Sequence, residues 1–236
     1  MVSLAARYER GEHAAVWAEL RHRPVSAADA AAVAELTMRR VARNVDVVVE
    51  RLHAAGWRWA YPELVRQAPT DADLAAITAL EERLGPLPVA LRACLMQVGE
   101  VWLCGTLPGW EPPWFAFDDL DAYPVTGDPL VLPSAAWLAA ELAEWDSNEW
   151  VEPKRPFRFG FAPDELTKAG ISGRTHDMVL PDSTADPPLL RVEYREGVTL
   201  VEYLRASLGH GGFAGAEFMA TPPPLLAEIT CQLVPF

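Results

Sequence analysis

Residues 74–105, LAAITALEERLGPLPVALRACLMQVGEVWLCG, carry two helix faces, a tight joint and the entry into a strand. Leu74, Ile77, Leu80 and Leu84 recur at three- and four-residue spacing, which sets them along one side of a helix. Thr70 stands where an N-cap belongs, and Gly85 where the helix should stop. After the Pro86-Leu87 joint, Pro88 takes a first-turn position, and Leu91, Leu95 and Val98 mark a second face closed by Gly99. Two helices joined this closely form a helical hairpin. Past Gly99 the apolar pattern shortens to strand length at Val101–Cys104.

Working towards the N-terminus, Pro62 and Pro69 mark a loop before the hairpin. Ahead of that loop, Ser26 and Asp29 have the spacing of a helix start. Met38, Val41, Val45, Val48, Leu52 and Ala55 then form an apolar stripe that ends at Gly56. The stripe packs either on the protein's own body or on a partner helix, and the first is the expectation. A shorter helix is predicted around Arg7–Leu20, antiparallel to it.

Downstream, Trp114–Phe117, Phe157–Phe161, Met178–Leu180 and Leu189–Tyr194 have strand composition bounded by Pro, Gly or Asp. A helix capped by Ser134 interrupts them, a second covers Leu200–Leu208, and Leu225–Leu233 is helical by period, with a strand as the alternative. Helices first and close-set strands afterwards, without a βαβ rhythm, predict an α+β fold with a mainly antiparallel sheet flanked by helices. The expected organisation is a helical segment, residues 1–68, packed on an α+β domain, residues 69–236. The second is expected to fold without the first, less stably.

The chain has 236 residues and a net charge of −13, half of it hydrophobic. No apolar run approaches the roughly 18 residues of a membrane helix, and the opening MVSLAARYERGEH has no apolar core of a signal peptide. A cytoplasmic protein is expected. Residues 1–68 carry +2 and the remainder −15, a surface that repels nucleic acid. Cys94, Cys104 and Cys231 lack metal or disulfide spacing and are expected to be buried.

Catalytic patterns do not assemble. None of the five histidines has metal-ligand spacing, and His13, His22 and His53 are expected in solvent. There is no phosphate loop, and Lys154 and Lys168 are the only lysines. Gly170-Ile171-Ser172-Gly173 falls short of a nucleophile elbow. Its neighbours His176 and Asp177 are too close in sequence for the usual triad, so a hydrolase is the remotest reading. The glycines of 209–215 and the acids Asp182 and Asp186 are expected to serve turns. No cofactor or metal is expected, and no catalysis.

One interval departs from chance. Between Arg92 and Lys154 there is no Lys or Arg, where about five are expected from the overall frequency, yet there are eleven acids and six of the nine tryptophans. Trp102 and Trp137 are expected in the core. Aromatic anchors rimmed by one sign of charge suit a steered protein interface. The alternative is an acidic face that only aids solubility. The candidate contacts are Asp118, Asp119 and Asp121 after Trp114–Phe117, and Asp146, Glu149 and Trp150 after the Ser134 helix. Trp150 is either an anchor or core. The expected partner is a basic protein, not nucleic acid or membrane.

The hairpin motif, with Leu80-Glu81, Leu84-Gly85, Leu87-Pro88, Leu95 and Gly99, resembles the opening of the SUKH superfamily, the Smi/Knr-like proteins. FAPDELTKAGISG, the strand to Leu180-Pro181 and LVEYLRASLGHGGFAG resemble the later signature of a bacterial branch. Arg174 and Ala214 depart from the Gly and Pro expected there. The resemblance spans about residues 70–215. It implies an α+β interaction module, in bacteria often an immunity protein that neutralises a toxin such as a nuclease, in eukaryotes a regulatory scaffold.

Overall fold

The computed structural model describes residues 2–107, 127–148, 156–168, 173–192, 195–218 and 222–236. Its organising element is the helix predicted behind Ser26, here α3 (Ala27–Ala54); helices α1 (Leu4–Glu9) and α2 (His13–His22) precede it. The Ser26 hydroxyl accepts the Asp29 N–H at 3.1 Å and closes the first turn of α3. Met38, Val41, Val45, Val48 and Leu52 are fully buried, so the stripe packs on the protein's own body. The single helix expected over Arg7–Leu20 is two, because Gly11 takes φ +97° between them. Arg7 pins that corner through Glu12 at 2.9 Å and Glu19 at 2.7 Å. His13, expected in solvent, is half-buried, its ring 4.5 Å from that of Tyr8.

The hairpin forms as α4 (Asp71–Leu84) and α5 (Val89–Gln97). Thr70 and Asp73 cap α4 reciprocally, at 3.3 and 2.8 Å. Pro88 is the N-cap of α5, and the Ala90 N–H finds the Ala185 carbonyl at 3.0 Å. Gly99 turns the chain with φ +76°, and a Cβ there would stand 2.4 Å from the Gln67 carbonyl oxygen.

Small antiparallel sheets follow, held between helices. β1 (Arg58–Trp59) pairs with β4 (Gly105–Thr106); β3 (Glu100–Trp102) lies between β2 (Arg66–Gln67) and β5 (Val131–Leu132); β6 (Phe157–Pro163) pairs with β7 (Thr175–Leu180). Among the described residues the sheet is thus three pieces. Of the strand expected at Leu189–Tyr194, the described residues 189–192 make a single bridge, Leu190 to Asp177, with Pro188 bridging Thr199 just before it; Glu193 and Tyr194 lie outside the described residues. Arg191 there takes φ +62°, uncommon for a non-glycine residue, which breaks the extended run. The strand expected at Trp114–Phe117 lies outside the described residues.

α6 (Ala135–Ser147) has its Ser134 cap, α7 (Glu165–Lys168) follows β6, and α8 (Leu200–Gly209) leads through a 3-10 turn, Ala214–Phe218, to α9 (Leu225–Thr230). α3 packs against α1, α5, α8 and α9. Its polar residues also hold residues 229–235. Asn44 bonds both the N–H and the C=O of Val234, each at 2.8 Å, Arg51 caps the Ile229 carbonyl at 2.7 Å, and Arg40 reaches Pro235 at 2.9 Å. Residues 1–68 therefore supply two strands and the central helix to the same core that residues 69–236 build. These contacts weigh against the expectation that 69–236 folds alone, which the isolated fragment tests.

Candidate protein-interaction site

Pleating puts Glu100 and Trp102 on one side of β3, while Val101 between them is fully buried. On α6, Trp137 and Glu141 are one turn apart. The two elements meet so that the indoles of Trp102 and Trp137 stack, 5.7 Å between centroids and 17° between planes. Tyr61, 46% exposed, stands edge-on to Trp102 at 5.3 Å. Each indole N–H donates to a carboxylate: Trp102 to Glu100 at 2.9 Å, Trp137 to Glu141 at 3.3 Å. The result is a partly buried aromatic strip, with Tyr61 at its exposed end and both indole N–H groups tied to acids. Burial pushes the nearby Asp73 carboxyl up, but bonds from Thr70 and from the first N–H groups of α6, at Ala135 and Ala136, leave it below its ordinary value.

Trp102 and Trp137, expected in the core, pack against it but are only partly buried. Tyr61, from the N-terminal segment, was missed. A legible signal existed: an acid two residues before a strand Trp, and four after a helix Trp, falls on the same face as the indole. Of the six predicted contacts, Asp146 forms a two-point ion pair with Arg83 of α4, at 2.8 and 3.1 Å. Asp146 stays exposed in that pair, on the surface where the sequence reading put it. Asp118, Asp119, Asp121, Glu149 and Trp150 lie outside the described residues.

A second arrangement is internal. Lys168, at the end of α7, has a fully buried side chain that donates to Asp128 and, at 3.2 Å, to the Tyr203 hydroxyl, which donates to Asp128 at 3.1 Å. His176 of β7 sits 5.8 Å from the Tyr203 ring. Burial alone would raise the Asp128 carboxyl, but the Lys168 ammonium and then His176 outweigh it and hold it far below the carboxylate range. Burial, then Asp128, drives the Tyr203 phenol well up. Asp128 holds its position at φ +43°, uncommon for a non-glycine residue.

His176 and Asp177 do not form two-thirds of a triad: Asp177 accepts from Thr175 and faces Arg158 at 3.4 Å and Arg191 at 3.1 Å. Ser172 lies outside the described residues. Asp186 is more than a turn residue, capping α8 through Thr199 at 2.7 Å and the Val201 N–H at 2.9 Å. Cys94 and Cys104 are buried, but Cys231 is exposed. Among the described residues no three His, Cys, Asp or Glu side chains converge as metal ligands, and no helix is long and apolar enough to cross a membrane.

Compared with known proteins, the chain matches no family model, and no curated protein or solved structure shows significant similarity to it.

Proposed function

We propose that this chain is a non-catalytic, SUKH-like protein-binding module that grips a basic protein through the Tyr61–Trp102–Trp137 strip and its acids. One observation carries the reading: both indole N–H groups of the stacked pair are held by carboxylates, within an interval that has eleven acids and no Lys or Arg. Aromatic faces beside fixed anions attract Arg and Lys side chains by cation–π and charge together. The motif resemblance narrows the role to that of a cytoplasmic immunity protein whose partner is a toxin, with a nucleic-acid-cleaving toxin as the natural basic target. An acidic binder can occupy a surface built for phosphate.

A regulatory scaffold would use the same face with a different client, and a toxin-type reading frame beside the gene separates the two. The biochemical test is capture of the partner followed by association kinetics at low and high salt. A basic partner, whose association slows with salt and with Glu100→Lys or Glu141→Lys, supports the reading. An acidic partner, or rates indifferent to both changes, overturns it.

A further inference from the structure

The ring of His176 is fixed by one bond whose direction is unambiguous. Its Nδ1 lies 2.9 Å from the Arg191 carbonyl oxygen, which can only accept, so Nδ1 carries a hydrogen. In a neutral ring the other nitrogen, Nε2, is then a bare lone pair. That nitrogen is buried without a hydrogen-bond partner and faces two carboxylates, Asp128 Oδ1 at 3.6 Å and Glu165 Oε2 at 3.9 Å. Glu165 Oε2 is likewise buried without a hydrogen-bond partner.

Asp128 is ionised, because the Lys168 ammonium and the Tyr203 hydroxyl both donate to it. Lys168 and Asp128 therefore cancel, and an ionised Glu165 beside a neutral His176 would add an unpaired anion and three acceptors facing one another. Such an arrangement in a dry core is costly. One proton removes the conflict, either as Nε2–H on an imidazolium facing Glu165 or as a Glu165 O–H facing the lone pair.

We infer that His176 and Glu165 share one proton that is a component of the folded core, taken up on folding, so that the joint of α7, β7 and α8 is locked by protonation. The other groups facing the pair do not supply it. Asp164 takes the N–H groups of Thr167, at 2.8 Å, and Arg174; Tyr203 uses its hydrogen on Asp128; and Cys104 is a buried thiol with no acid proton to give near neutrality. Consistent with this, burial pushes the Glu165 carboxyl up, against bonding from its own backbone N–H and the charge of His176.

The sign follows from linkage. A carboxyl raised in the folded state contributes stability that is complete below its ordinary value and is lost as pH rises through its folded value. The test is denaturant unfolding of the full chain across pH. Within the window above the ordinary Glu value the folding constant should fall by up to about tenfold per pH unit. Glu165→Gln, whose amide donates to Nε2 without titrating, should flatten that slope. Parallel pH profiles for the two proteins would overturn the lock. Should the variant not fold, nitrogen-15 spectra of the wild-type His176 ring decide: a protonated Nδ1, with Nε2 protonated or hydrogen-bonded, supports the lock, and a neutral ring whose Nε2 carries no proton and accepts none sinks it.

Discussion

Trp102 and Trp137 stack across the join between β3 and α6, and each hands its only hydrogen-bond donor to a carboxylate on its own element. Such a pair is fixed before any partner arrives, so little side-chain freedom is lost on binding. Trp137→Ala should therefore weaken partner binding by about 2 kcal/mol or more, mainly through faster dissociation. Charge reversal at Glu100 or Glu141 should act chiefly on association instead. Surface-bound kinetics with the captured partner, alongside melts showing each variant folded, separate the two effects.

The Lys168–Asp128 pair predicts an asymmetric response to substitution. Asp128→Asn leaves a buried ammonium without its anion and should destabilise by about 3–5 kcal/mol, whereas Lys168→Met with Asp128→Asn should cost much less than the two single changes summed. Because the folded Asp128 carboxyl is depressed, its contribution is complete above the ordinary aspartate value and is lost as pH falls through the folded one. Unfolding curves at falling pH should show wild type losing an advantage over the double variant. Equal acid sensitivity would contradict this.

Residues 69–236 expressed alone should show no cooperative unfolding transition. The fragment lacks the β2 partner of β3, the β1 partner of β4 and the whole apolar stripe of α3. Calorimetry and dye binding check it; a sharp transition would show that the C-terminal region holds a core of its own.

Thiol labelling offers a simple check of the packing. Burial pushes the Cys94 thiol up to about 12 and that of Cys104 to about 11, while Cys231 is exposed. Under native conditions a thiol reagent should modify Cys231 and spare the other two, and denaturant should release both.

Helices with a period and a cap were legible in the sequence. Thr70 with Asp73, and Ser26 before the Met38–Leu52 stripe, state locally what the fold does. The two-residue strands β1, β2, β4 and β5 were not, because alternation needs four or more residues before it differs from chance. How far Trp102 and Trp137 are enclosed was not legible, because a partly buried aromatic and a fully buried one look alike in sequence. The Asp128, Glu165, Lys168, His176 and Tyr203 cluster could not be seen at all, since its members come from four separate segments, Glu165 and Lys168 sharing α7, and only tertiary packing brings them together.

The bond between Asn44 and Val234 joins positions 190 residues apart. A ribosome adding about 5–20 residues per second makes α3 early and needs on the order of 10–40 seconds to deliver the residues that close over it. Throughout elongation the nascent chain carries an apolar helix whose partners emerge in the order α5, α8, α9. For a protein of this design the hazardous interval is synthesis itself, and holdase chaperones that bind exposed apolar helices should find it a client until residues 225–236 dock.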